Sequence, residues 1–193
     1  GSREGATDVV IQTAVLDTKA GSWSNPEVVI DRVAAEKGLS RYIKKLGNPL
    51  PVRSSQGKLQ LYFVTVSVGG WAGSSISWME SSDEGVSWSR PQRLITSPAL
   101  NLSTLIKAPG FDFVDGTLGL PVYHEWMGKF GELIRIDGGR VIDKRRMSSG
   151  RALLQPIVFI DAPEKAVAYF RQARSAGPSR IASALTENAG QSW

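Results

Sequence analysis

The sequence has no cysteine and a single histidine, His124. The first absence removes disulfide frameworks, thiolate nucleophiles and cysteine-based zinc sites. The second rules out a multi-histidine metal centre and leaves His124 as the one residue a Ser/His/Asp triad could use. No metal and no cofactor are therefore expected. Also missing is any apolar run near the roughly 20 residues that a membrane-crossing helix needs, so no membrane span is expected. Charged residues make up only 21% of the chain, yet the balance is a formal +5, which favours an anionic partner, either nucleic acid or an acidic sugar. The basic residues are spread out, and the densest cluster, Lys144-Arg145-Arg146, reads as a solvated loop. With no RNA- or DNA-binding motif beside it, no nucleic-acid partner is expected.

What is present points to one class. With 193 residues, 41% of them hydrophobic, the chain can bury a sizeable core. Twenty glycines, ten prolines and six tryptophans among short apolar runs favour an all-β protein rich in turns. A repeat then sets the architecture. Ser81-Ser82-Asp83-Glu84-Gly85-Val86-Ser87-Trp88 and Thr186-Glu187-Asn188-Ala189-Gly190-Gln191-Ser192-Trp193 match position by position, their tryptophans 105 residues apart. A degenerate copy over 17–23 ends in Gly21-Ser22-Trp23, and Ile136-Asp137-Gly138-Gly139-Arg140-Val141-Ile142 reads as a hairpin turn halfway between the two good copies. The period is then about 52 residues, which is what radial propeller blades of four antiparallel strands give. Strands are expected at Val9 to Val15, Leu59 to Val68, Ser74 to Glu80, Leu118 to Tyr123, Glu132 to Ile136, Gln155 to Ile160, Ala166 to Arg171 and Arg180 to Thr186. Arg32 to Lys45 alone reads as a helix, an insertion that stretches the first interval.

The repeated motif has a structural rationale. Its acid or amide accepts hydrogen bonds from its own turn, its glycine permits positive φ, and its tryptophan wedges against the sheet. Ser81, Asp83, Gly85, Trp88, Thr186, Asn188, Gly190 and Trp193 are accordingly read as hairpin locks, not as catalysts.

These loops resemble the Asp-boxes of the sialidase or neuraminidase superfamily, and two further stretches carry the likeness. Around Gly1-Ser2-Arg3-Glu4-Gly5-Ala6-Thr7-Asp8-Val9, an arginine is followed five residues later by an aspartate, the pattern of the catalytic acid/base. Ala168-Tyr169-Phe170-Arg171, with Arg180 and the closing Asp-box, resembles the strand that supplies an arginine of the carboxylate-binding triad. The segments Gly47-Asn48-Pro49, Gly69-Gly70-Trp71, Tyr123-His124-Glu125 and Leu154-Gln155-Pro156 resemble those of bacterial BNR-repeat sialidase-like proteins. The resemblance implies a six-bladed ring, so 193 residues are expected to make about three to four blades of one incomplete propeller domain. Other chains or further blades would complete it, and the first and third triad arginines and the tyrosine nucleophile would lie outside these residues.

The chemistry suits these residue types. Guanidinium forks hold the carboxylate of an acidic sugar bidentately. Sialidases replace the carboxylate nucleophile of other retaining glycosidases with a tyrosine activated by a glutamate. The resemblance therefore makes Asp8 the acid/base and Arg171 a substrate ligand, with Arg3 and Glu4 either a site pair or a hairpin salt bridge. Asp8 also reads as a plain surface acid on residue chemistry alone. Gln155 stands where the glutamate is expected, and an amide cannot take a phenol's proton. Glu125, at the end of an apolar run with Tyr123 and His124, is the candidate substitute. Asn48 and Asn101 read as loop caps or ligand contacts. The implied function is a retaining glycosidase acting on a terminal acidic sugar; the alternative is a carbohydrate-binding propeller without catalysis.

Overall fold

A computed structural model describes residues 2–3, 5–173 and 180–193. Among these residues sixteen strands and one regular α-helix follow one another: β1 Ile11–Thr13, β2 Leu16–Asp17, β3 Ser22–Trp23, β4 Glu27–Ile30, α1 Arg32–Leu39, β5 Lys45–Arg53, β6 Leu59–Val66, β7 Ser74–Ser81, β8 Gln92–Arg93, β9 Leu105–Ile106, β10 Phe111–Asp112, β11 Leu118–His124, β12 Phe130–Asp137, β13 Arg140–Arg146, β14 Leu153–Ala162, β15 Lys165–Gln172 and β16 Ile181–Thr186.

Pairing is antiparallel between neighbours in sequence, as short turns demand. β5-β6-β7-β8 form one meander, β11-β12-β13 with β9 and β10 on one edge a second, and β14-β15-β16 a third. The first strand of the middle sheet is broken, since β9 pairs with the Val122–Tyr123 end of β11 and β10 with the Leu118–Gly119 end. Ahead of these, β1-β4 and β2-β3 make two small two-stranded pieces. The expected four strands per sheet hold in one case. No sheet closes on itself among the described residues.

Three apolar layers join the sheets. Tyr62, Ile76 and Trp78 meet Leu120, Val122 and Ile134 between the first two meanders. Ile11, Ile30 and Ala35 close the outer face of Leu46, Phe63 and Met79. Leu133, Met147, Ala168 and Phe170 join the second meander to the third. Each large apolar side chain so buried contributes about 1.5–3 kcal/mol. Beyond the third meander Phe159, Tyr169, Ile181 and Leu185 are exposed on its far side.

The expected helix stops at Leu39 instead of reaching Lys45. Asp31 caps its start by accepting from Ala34 N at 2.7 Å. At its end Ser40 turns left-handed at φ 52°, and a Cβ on Gly38 would lie 2.4 Å from Pro91, so the last turn is pinned against the neighbouring loop. Besides several short strands, two long ones were not expected: β5, which contains Pro49 and Pro51, and β13, which carries Asp143, Lys144, Arg145 and Arg146. Lys144-Arg145-Arg146 thus lies on a strand, not in a loop. Both strands are sheet edges, where a missing N–H or a charged side chain meets no partner strand.

The two repeated loops fold alike. Ser81 Oγ accepts from Gly85 N at 2.8 Å, and Asp83 accepts from Ser87 N at 2.9 Å and Ser87 Oγ at 2.6 Å. Thr186 Oγ1 accepts from Gly190 N at 3.0 Å, and Asn188 Oδ1 from Ser192 N at 2.9 Å. Gly85 at φ 87° and Gly190 at φ 80° occupy the left-handed region. These bonds hold the Asp83 carboxyl down to about 2, the Ser81 and Ser87 hydroxyls contributing most. The degenerate copy keeps the turn, with Asp17 accepting from Lys19 N and Ala20 N, but its Trp23 is 67% exposed.

Candidate functional site

Both repeated loops lie between a third and a fourth strand position, after β7 and after β16. The residues singled out for chemistry collect instead where first strands begin and second strands end. Tyr123, near the end of β11, is 3% exposed. The side chains of Gln155 and Asn48 and the charges of Glu125 and Arg171 act on its phenol. Burial pushes the phenol up, the Glu125 charge adds to that, and the Gln155 bond, Arg171 and the Asn48 bond pull the other way without prevailing. The group is therefore neutral and can both give and accept a hydrogen bond.

Local backbone explains how Asn48 and Gln155 reach it. Pairing of β5 with β6 slips between Gly47 and Leu50, and pairing of β14 with β15 slips between Leu154 and Ile157. Each slip is a bulge that re-aims a side chain. Asn48 sits in its bulge at φ 50° and Gln155 in its own at φ 53°. Asn48 Nδ2 also donates to Ile106 O of β9 at 2.9 Å, which ties the first strands of two sheets together.

Glu125 is placed by a third strained residue. Ser103, buried and at φ 62° just before β9, accepts from Glu125 N at 2.9 Å and Trp126 N at 2.8 Å. Arg171, exposed on β15, is paired in register with Leu154 of β14, the residue before Gln155. Tyr123, Glu125, Gln155 and Arg171 are thus brought together, and Asn48 joins them. Sequence reasoning read Asn48 only as a cap or contact; its signal was the match of Gly47-Asn48-Pro49 to Leu154-Gln155-Pro156, two polar residues each before a proline.

His124 is held elsewhere. Alternation along β11 turns it to the other face from Tyr123. There its Nε2 lies 2.7 Å from Glu132 Oε2, and its ring stacks on Phe130 at 4.5 Å. Burial works to raise the Glu132 carboxyl, but the His124 bond and charge and the Lys144 ammonium outweigh it and leave the group below its usual range.

Asp8 is exposed, its oxygens accepting from Ser2 N at 2.8 Å and Ser2 Oγ at 3.2 Å, and the backbone bond lowers its carboxyl most. Arg3 is exposed and accepts at its carbonyl from Ala6 N at 3.1 Å. Glu4 lies outside the described residues. The loop nevertheless sits at the same end of the molecule as Tyr123. A Cβ on Gly5 would lie 3.1 Å from Lys45 Nζ and 3.7 Å from the Trp71 ring, at the entry to β5. Asn101 is buried and spent on its own loop, accepting from Thr96 N and donating to Leu94 O, each at 2.8 Å. Among the described residues no cluster of His, Asp and Glu has a metal-binding arrangement, and no helix is long and apolar enough to cross a membrane.

Successive antiparallel meanders of this kind are a fold that the chain shares with solved sialidases and an arabinanase. Within that class the chain belongs to the BNR repeat-like domain family, which matches residues 1–193. It is similar to a solved protein of unknown function from Dyadobacter fermentans, at 12% identity and a TM-score of 0.76, over 100% of this chain and 58% of that one. It is similar to NanB sialidase from Streptococcus pneumoniae, at 11% identity and a TM-score of 0.73, over 100% and 47%. It is likewise similar to a leech intramolecular trans-sialidase, at 11% identity and a TM-score of 0.72, over 100% and 46%. The chain spans about half the length of these structures. At such identities the likeness is one of fold, and the chain is a sialidase-like member of the BNR superfamily. Among curated proteins none matches it in sequence.

Proposed function

We propose that the chain forms part of a six-bladed sialidase-type propeller that binds a terminal acidic sugar and cleaves it with retention. One observation carries this reading: a buried phenol on which two carboxamides, a carboxylate and a guanidinium act. In this reading Arg171 holds the sugar's carboxylate, helped by Arg3 from the first loop. Asp8 gives its proton to the leaving oxygen and then activates water, and Glu125 supplies the carboxylate function that Gln155 lacks. Tyr123 and Gln155 line the sugar pocket.

Residues 1–193 are read as one domain of three to four blades. The exposed Phe159, Tyr169, Ile181 and Leu185 support a further blade of the same ring packing on the third meander. The test is hydrolysis of a fluorogenic sialoside by the complete protein, with loss on Asp8→Ala. Absence of turnover across sialosides and related acidic glycosides would sink the enzymatic reading. Gln155 favours a second one, a non-catalytic propeller that binds acidic glycans, since an amide in place of a base keeps recognition without chemistry. Glycan binding that persists unchanged in Asp8→Ala, with no turnover, would select it.

A further inference from the structure

The two hairpin loops repeat, but the strands that lead into them do not fill the same space. In the first sheet Leu59 pairs with Ser81 and Leu61 with Met79; in the third, Ala166 pairs with Thr186 and Ala168 with Ala184. Ser81 and Thr186 open the matched loops, so Ala166, Ala168 and Ala184 stand where the first sheet has Leu59, Leu61 and Met79. Shorter side chains leave room that a neighbouring sheet fills only in part. The room is a cavity of about 570 Å³, walled by Phe111, Phe113 and Leu133 from the second meander's side and Ile160, Ala166 and Trp193 from the third's. Phe111 pairs with Gly119, which lies four residues along β11 from Tyr123, about 13 Å away. The cavity is therefore separate from the sugar site. In the first sheet the chain leaves Trp88 along the edge of β7, with Ser89 N bonded to Glu80 O at 2.8 Å and Gln92 paired with Trp78. A continuation like that after Trp193 follows the edge of β16 and does not enter the cavity.

We propose that this cavity is a second binding site, for a neutral and largely apolar ring compound. Its volume and its aromatic walls suit a molecule of a few rings. Phe111 and Phe113 lie 5.3 Å apart at 57° to each other, so a flat ligand can lie against one and meet the edge of the other. Trp193 donates its indole N–H to Gly190 O at 3.2 Å, and the rest of its ring is apolar. The basic groups at the cavity are already paired. Arg135 lies over the Phe113 ring at 4.2 Å, bonded to Asp115 and, at 2.6 Å, to Thr117 Oγ1. Lys165 pairs with Glu187 at 3.5 Å. Asp112 and Glu164 line the same cavity without an ion pair among the described residues. An anionic ligand meets only repulsion from them. The site thus selects against the acid group that the sugar site is read to hold, and the inference does not depend on that reading.

The experiment is a fluorescence titration of the complete protein with N-phenylnaphthylamine, which is neutral, and with anilinonaphthalene sulfonate, the same skeleton bearing an anion. Two variants accompany the wild type: Ala166→Leu, which restores the side chain of the first sheet, and Ala162→Phe, at the partly exposed end of β14 beside the cavity. Circular dichroism melts confirm that each is folded. The wild type is expected to bind the neutral compound saturably and the sulfonate about tenfold more weakly or worse, because the sulfonate must bury an unpaired charge. Either folded variant is expected to lose about tenfold or more of that binding, since the added atoms occupy the ligand's place. No saturable binding by the wild type overturns the site, whether or not a variant folds. So does unchanged binding in a folded variant. A sulfonate bound as tightly as the neutral compound overturns the assignment of a neutral ligand.

Discussion

Asn48 and Gln155 occupy the same place in two different sheets: each is the left-handed residue of a bulge in a first strand, and each precedes a proline. The relationship separates what these residues cost the fold from what they give the site. Glycine at either position relieves about 1 kcal/mol or more of backbone strain while removing the amide. Gln155→Gly is expected to melt within a few degrees of the wild type yet lose sugar binding. A large drop in melting temperature, without loss of binding, would make Gln155 a structural residue.

His124 is expected to matter for stability and not for the sugar. His124→Ala deprives Glu132 of its nearest partner on a half-dry face, and losing a hydrogen bond to a charged group costs about 1.5–3 kcal/mol. Urea unfolding reads that cost. Binding of N-acetylneuraminic acid should stay within about twofold of the wild type.

The two repeated loops differ in one titratable position, Asp83 against Asn188, and that difference predicts an acid response. Hydrogen bonds from Ser81 and Ser87 hold the Asp83 carboxyl in the fold down at about 2, below its ordinary range. Its contribution is therefore complete above about 4 and lost as pH falls towards 2. Asp83→Asn should flatten the fall in melting temperature between about pH 4 and pH 2. An unchanged acid limb would show that other carboxyls, Asp115 bonded to Arg135 among them, dominate it.

Gly139 tests the packing of one sheet on the next. It lies at φ 77°, and a Cβ there would come within 2.3 Å of the buried Trp78 ring. Gly139→Ala is expected to destabilise by about 2–4 kcal/mol, from combined backbone strain and overpacking. A denaturation midpoint equal to the wild type would mean that the hairpin moves freely against Trp78.

The all-β class and the central strands were legible because β6, β7, β11, β12 and β15 are paired on both edges and carry dense apolar and β-branched sequence. The paired loops were legible because every residue in them answers to its own turn. What escaped was at the margins. β5 and β13 violate strand composition with Pro49, Pro51 and a charged run, which edges tolerate. The cluster around Tyr123 was half legible: Tyr123 and Glu125 stood out at the end of an apolar run, Gln155 and Arg171 through the resemblance, but Asn48 and Ser103 act through backbone geometry that composition does not reveal. Asp8 was chosen by pattern, and its hydrogen bonds are to Ser2.

An unpaired strand edge invites another strand to add to it. β5 and β14 each have such an edge, and each interrupts it with a bulge and a proline that withdraw an N–H and bend the ladder. Each break keeps its first strand from accepting a continuous added strand along that edge. The irregularity that re-aims a side chain also guards the edge against a stray partner.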